Sequence, residues 1–354
     1  MSPIPGNPEI LVFAFSVRDK AAPWIGHAAA ELLYTKILRV PALNLSQRYL
    51  RFFARSPLTP SRGVRSVDHL ARLLPKNKVP VGVGGFVSAT RGKLSLECIV
   101  LEDGAERPRF NGRRVFSLHE LDVCVSSLAE KVSRALVKGP IPAIVRATMR
   151  KGEYHDLDSA RLLGLACGMF ARGESKRREA HELFRQLTKH DPTCGLGRFL
   201  WAYTGGPKVF IPDECMRILR LNPCLIQAYF CDPLFNDEPL QTSRAKFSLY
   251  RRGLLHTPYS WHAFAGFREL CVRLNRPLPL IQKALQLAEV GTFYFAEAIS
   301  TALYVARRMH AEEFASEVCQ KALKYAPTDT DRKWVMSCAE LVGQKQIAQR
   351  QKMP

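Results

Sequence analysis

Four sets of residues are of types that could do chemistry, and their spacing limits what that chemistry can be. His119-Glu120 and His181-Glu182 each supply the first half of a zinc-hydrolase HExxH signature. Both lack the second histidine four residues on that would put two ligands on one helix face. His155 and Asp156 are the types of an acid–base pair, but no nucleophile or third group stands near them in sequence. Gly82-Val83-Gly84-Gly85 suggests a phosphate cradle. It has neither the GxGxxG spacing nor a helix after it, and glycine within a strand marks a bulge or a close backbone approach. The sequence contains no GxSxG elbow and no GxxxxGK[ST] loop. These readings predict no catalytic residue, no metal and no cofactor, and hence a protein that is not an enzyme.

Charge points instead to binding. The net charge is +20. Residues 1–150 carry 23 Lys+Arg against 11 Asp+Glu, a balance of +12, and residues 151–354 carry 29 against 21, or +8. Such an excess attracts an acidic protein, a nucleic acid or an anionic membrane surface. It is concentrated between Arg39 and Lys78, where nine basic residues face one aspartate. There Tyr49, Phe52 and Phe53 alternate with Arg48, Arg51 and Arg55, and Arg62 and Arg65 follow. Arginines interleaved with aromatics can pair with phosphates and stack on bases. The same pattern also describes a helical turn with its aromatics in the core and a solvated loop after it. Arg48, Arg51, Arg55, Arg62 and Arg65 are the candidate contacts to an anion, a nucleic acid or an acidic partner. Arg251, Arg252, Arg307 and Arg308 are candidates to line a groove in the second half of the chain.

Bulk properties set the frame. A length of 354 residues implies two or more domains, and 47% hydrophobic residues supply a core. The ten cysteines include no Cys-x-x-Cys pair and fall in apolar contexts, so buried reduced thiols are expected. The apolar run near the N-terminus is about six residues, too short for a signal peptide or a membrane span, and a cytoplasmic protein is expected.

In the first 138 residues, Ile10–Val17 reads as a buried strand and Ile25–Arg39 as a helix. Ala42–Ser46 reads as a short strand. Val67–Leu74 reads as a helix capped by Ser66. Val79–Thr90, Lys93–Glu102 and Arg107–Val115 read as strands joined by turns at Arg91-Gly92 and Asp103-Gly104. Leu118–Lys138 reads as a helix opened by a Ser117/Glu120 capping box. This order, with ILVFAF at 10–15, AELL at 30–33, RVPAL at 39–43, GGFV at 84–87, GKL at 92–94 and the helix through Leu136, resembles the amino-terminal domain of TolB and its relatives. That family includes modules found beside tetratricopeptide repeats in bacterial adenylate cyclases and transcriptional regulators. The resemblance implies a mixed-sheet α/β domain with a role in assembly or sensing and no catalytic residues. The arginine-rich segment 48–65 and Ser16–Asp19 depart from the family pattern.

A linker is expected over residues 139–157, because the prolines of Gly139-Pro140-Ile141-Pro142 bar a continuing helix. From 158 to 343 the pattern is helical. Pro192, Pro223, Pro258 and Pro327 each end a helix, at intervals of 31, 35 and 69 residues. The last interval is close to two repeats. A period near 34 resembles that of tetratricopeptide units. It implies an all-α solenoid of helical hairpins with second helices at Arg178–His190, Glu214–Leu221, Thr242–His256, Leu280–Glu289 and Ala311–Tyr325. First helices are expected from near Asp158, Cys194, Leu225, Tyr259, Thr292 and Asp329. Trp201, Tyr203, Trp261, Phe264 and Phe267 could form a recognition surface, but aromatics at helical spacing are expected in its core. Residues 344–354 read as a basic polar tail. The functional expectation is a scaffold or adaptor, a subunit of a larger assembly whose repeat groove binds a protein segment. The alternatives are nucleic-acid binding or membrane docking through residues 48–65.

Overall fold

The computed structural model describes residues 10–18, 23–40, 43, 63–90, 93–137, 140–206, 212–231, 240–256, 261–274, 312–326 and 328–350, with a few short pieces between 279 and 303. The chain divides into two compact units, residues 1–232 and 233–354.

The first unit is built on a mixed five-stranded sheet. Strands β1 (Ile10–Val12) and β2 (Ser16–Val17) both run parallel to β3 (Val81–Thr90). β4 (Lys93–Glu102) and β5 (Phe110–Phe116) extend it as an antiparallel meander, in the order β1-β3-β4-β5. The strand expected over Ile10–Val17 is interrupted. Val12 pairs with Val83 and Ser16 with Phe86, so four residues on one strand span three on β3. That is a bulge, which leaves one residue out of register and bends the strand. At the bend the Phe15 N–H turns to the Gly26 carbonyl, at 3.3 Å. β5 begins three residues later than expected, because Pro108 has no N–H for the ladder and the loop closes through Arg109 N–H to Val100 O at 2.9 Å.

Helix α1 (Trp24–Ile37) lies against β1, β2 and β3, and α3 (Leu121–Leu136) packs beside it. α1 is buried on nearly every side, from Ile25 to Ile37, as befits a helix apolar almost all round. On the other side of the sheet lies α2 (Val67–Asn77), capped by the Ser66 hydroxyl accepting from His69 N–H at 3.0 Å. Leu70, Leu74, Phe13, Val64 and Ile99 form the core there. α2 runs three residues past its expected end, with Pro75 inside it, and stops at Lys78 in the left-handed conformation (φ 52°). The Ser117/Glu120 capping box is present. It opens a short 3-10 turn, Leu118–Glu120, ahead of α3.

The segment read as a linker contains a helix, α4 (Ala143–Met149), packed on α1 and α3. The preceding helix already ends at Leu136, and the apolar sequence AIVRATM after Pro142 finds a place on the existing core. α5 (Leu157–Phe170), α6 (Arg177–His190), α7 (Gly195–Gly205), α8 (Pro212–Leu221) and α9 (Ile226–Cys231) then follow, each packing on the next. α5 also packs on α1. Helices α5–α9 therefore belong to the same compact unit as the sheet.

The two described proline turns are built alike. Asp191 Oδ1 accepts from Thr193 N–H at 3.1 Å, and Asn222 Oδ1 accepts from Cys224 N–H at 3.1 Å, each an Asx turn around a proline. Both side chains also reach back to one segment. Asp191 Oδ2 accepts from His155 N–H at 2.9 Å, and Asn222 Nδ2 donates to Glu153 Oε2 at 2.9 Å.

In the second unit α10 (Leu240–His256) packs on α11 (Trp261–Arg273), with Phe247 and Phe267 stacked at 5.2 Å. α12 (Glu312–Tyr325) packs on α13 (Asp329–Arg350). The strand expected at Ala42–Ser46 and the helices expected at Leu280–Glu289 and from Thr292 lie largely outside the described residues. No described helix is long and apolar enough to cross a membrane.

Eight of the nine described cysteines are buried thiols. Burial pushes the Cys124 and Cys194 thiols up to about 12, and Cys98 higher still. Since the thiolate is the reactive form, native protein treated with Ellman's reagent should react among these nine at half-buried Cys338 first. The other eight should react only on unfolding, and peptide mapping of the labelled protein checks the order.

Candidate functional site: a basic cleft at the carboxyl end of β2

A cleft of about 510 Å³ opens where β2 ends. Its walls are the end of β2, the start of α1, the residue before the α2 cap and one side of α5. Arg18, Arg65, Arg172 and His27 line it, and no aspartate or glutamate stands among its described lining residues. All three arginines are exposed. None of them makes an ion pair with a described carboxylate. The Arg18 guanidinium lies over the Phe86 ring, 4.7 Å from its centroid, which holds it near the sheet. The Arg65 N–H donates to His69 Nδ1 at 3.0 Å, and burial together with Arg65 and Arg72 lowers the His69 pKa. Val17, Pro23, Trp24, Leu165 and Met169 supply the apolar part of the wall.

Two glycines of α5 set the width of the cleft. A Cβ on Gly164 would stand 2.3 Å from the Trp24 carbonyl oxygen, and one on Gly168 would stand 3.0 Å from His27 Cδ2. α5 thus lies close against the first turns of α1.

Of the residues singled out by sequence, Arg65 is in this cleft. Arg48, Arg51, Arg55 and Arg62 lie outside the described residues. Arg251 and Arg252 are exposed on α10, and Arg307 and Arg308 lie outside the described residues. Arg172 and His27 stand in no motif or charge run that would single them out in the sequence. The only local signal was Arg18, an arginine directly after a parallel strand, where α/β folds place ligands.

The other candidates have structural roles. In the glycine run of β3, a Cβ on Gly85 would stand 1.9 Å from Glu97 O, and one on Gly84 would stand 2.7 Å from Val64 Cγ2. These glycines admit close neighbours rather than a phosphate. His181 stacks on Trp201 at 6.0 Å, with Nδ1 3.1 Å from Thr204 Oγ1. Trp201 and Tyr203 are half-buried, Phe264 and Phe267 are buried, and the Trp261 side chain lies outside the described residues.

His155 and Asp156 do not pair with each other. Asp156 caps α5, accepting from Ser159 N–H and Oγ at 2.8 Å, and faces His190 Nε2 at 3.0 Å. The Ser159 amide, its hydroxyl and then His190 hold the Asp156 carboxyl down to about 2. Asp156→Ala should cost about 1 kcal/mol through loss of the cap. A carboxylate held low in the folded state contributes stability that is complete above its ordinary value of 3.8 and is lost as pH falls towards 2. Urea midpoints of wild type and Asp156→Ala should therefore differ at neutral pH and converge at the acid end.

A buried charged cluster fastens the helices to the sheet domain. Arg39, with its side chain fully buried, pairs with the fully buried Glu153 carboxylate and donates to Thr148 O. Lys36 donates to Met149 O and Lys151 O, both at 3.0 Å, and pairs with Asp122 at 3.2 Å. Burial lowers the Lys36 pKa and raises that of Asp122.

No family model matches the chain, and a search of curated proteins finds no match. The class that the fold itself defines is a mixed α/β sheet carrying packed helical hairpins.

Proposed function

We propose that the protein is a non-catalytic cytoplasmic scaffold, a subunit of a larger assembly, whose helical repeats receive an acidic segment of a protein partner. Its sheet domain is read as TolB amino-terminal-like and its hairpins as tetratricopeptide-like. The observation that carries this reading is the series of helices α5–α9, each packed on its neighbour and joined by the recurring Asx-proline turn at Asp191 and Asn222. A helical hairpin cannot bury its own apolar face, so stacked hairpins create a continuous core and an extended surface suited to protein segments. The net charge of +20 and the exposed Arg251 and Arg252 favour an acidic partner.

The test is mass photometry with mass spectrometry on tagged protein purified from its own host at low salt, with and without nuclease. A stoichiometric protein complex that survives nuclease is the expected result. An assembly that collapses on nuclease treatment would transfer the function to nucleic-acid binding through Arg48, Arg51, Arg55, Arg62 and Arg65. Flotation with anionic liposomes and no protein partner would point to membrane docking through the same segment.

A further inference from the structure

We propose that the cleft at the end of β2 binds a small phosphomonoester with an apolar or aromatic body, a ligand of about nucleotide size. This goes beyond the scaffold reading and does not depend on it.

The first argument is charge. Three arginines from three separate segments converge on one cleft: Arg18 after β2, Arg65 before α2 and Arg172 just past α5. No described lining residue opposes them. Cations on a protein surface are ordinarily interspersed with carboxylates, as the pairs Arg109–Glu102, Arg185–Glu182 and Arg268–Glu269 show here. A phosphomonoester carries about −1.5 to −2 at neutral pH on three acceptor oxygens, and arginine forks match that geometry. Three arginines suit such a dianion better than a single carboxylate.

Position is the second argument. β1, β2 and β3 are parallel, and the cleft lies beyond the carboxyl end of β2, at the edge from which α1 departs. Open α/β sheets place ligands there. Pro23, at the N-cap of α1, offers no side-chain acceptor to the first-turn amides, and no acidic residue stands in that turn. A fourteen-residue helix with no side-chain cap from Pro23 therefore turns its positive dipole end towards the cleft.

The third argument is size and lining. A volume of about 510 Å³ lies within the range of small-molecule sites. Trp24, Leu165 and Met169 give one side an apolar wall suited to the body of such a ligand.

Titration calorimetry on the full chain, with adenosine 5′-monophosphate as probe, tests the proposal. Ribose 5-phosphate, inorganic phosphate, adenosine and a hexaglutamate peptide are the comparison ligands. Saturable binding of the monophosphate is expected, with adenosine weaker by about tenfold or more, since a hydrogen bond to a charged group is worth about 1.5–3 kcal/mol. Arg65→Ala and Arg172→Ala should each weaken binding about tenfold or more on the same basis. Arg268→Ala, at an exposed ion pair in the other compact unit, should leave it unchanged. The exchanged arginines are exposed, so thermal melts of the variants should match wild type. The proposal is overturned by the absence of saturable binding of every phosphorylated probe. It is equally overturned by adenosine binding as tightly as its monophosphate, by Arg65→Ala and Arg172→Ala both binding as wild type, or by hexaglutamate competing where phosphate does not.

Discussion

Replacing Glu153 by alanine is expected to destabilise the unit of residues 1–232 by about 3–5 kcal/mol, the loss seen when one member of a buried ion pair is removed. Arg39 would keep its charge in a site where its side chain has no exposure. Asn222 Nδ2 would lose its acceptor as well. Glu153→Gln retains one of the two acceptor oxygens but not the charge, and should fall between wild type and alanine. The reciprocal exchange is the sharper test. In an Arg39→Met, Glu153→Met double variant, much of the loss should be recovered relative to the sum of the singles, because neither buried charge is then left alone. Glu102→Ala, which breaks an exposed pair with Arg109, should change stability by about 0.5 kcal/mol or less. Urea unfolding followed by far-ultraviolet circular dichroism reads all four. A Glu153→Ala protein with the wild-type midpoint would show that this contact does not hold the unit together.

Local signals were legible. Ser66, the Ser117/Glu120 box, the β3–β4 hairpin and the proline-terminated helices are each written in a few adjacent residues, and each element formed within about three residues of its expected bounds. What the sequence concealed is tertiary. α3 ends at Leu136, shortly before Pro140 and Pro142, and a helix end beside two prolines reads as a domain boundary. Nothing near them announces that Lys36 and Arg39, more than a hundred residues earlier, wait under α1 for the carbonyls of Thr148, Met149 and Lys151. Lys36 and Arg39 are long basic side chains at the end of an otherwise apolar helix. Their burial follows only once the partners at Asp122 and Glu153 are placed.

The same limit governed the cleft. Sequence drew attention to the densest run of arginines, because charge density is a local property. Three arginines in segments 18, 65 and 172 make no run at all, and only folding brings them to one edge. The glycine run misled for a related reason. Gly84 and Gly85 look like a phosphate loop by composition. Their constraint comes from Val64 and from the Glu97 carbonyl of the neighbouring strand, which a linear pattern cannot display.

Gly164→Ala carries the other large expected effect, and its sign opposes propensity. Inside an exposed helix, alanine in place of glycine stabilises by about 1 kcal/mol. Here the added Cβ would meet the Trp24 carbonyl oxygen at 2.3 Å, with Trp24 C and Cε3 at 3.0 Å. The obstacle is backbone, so no rotamer change relieves it. Nor can α1 retreat freely, since a Cβ on its own Gly26 would already stand 2.1 Å from the Phe15 carbonyl oxygen. The sheet bulge, α1 and α5 thus form a stack joined through glycines, and overpacking it should cost about 2–3 kcal/mol. Gly168→Ala, one turn along α5, is the control. Its neighbour is the His27 ring edge at 3.0 Å, a side chain that can shift, so a near-neutral change is expected. Because α5 carries Arg172 just past its end, displacing it from α1 should also draw that arginine away from Arg18 and Arg65. Gly164→Ala should therefore lower both the unfolding midpoint and the affinity for adenosine 5′-monophosphate, whereas Gly168→Ala should leave the midpoint nearly unchanged. Equal midpoints for Gly164→Ala and wild type would mean that α5 does not pack on α1 at this distance.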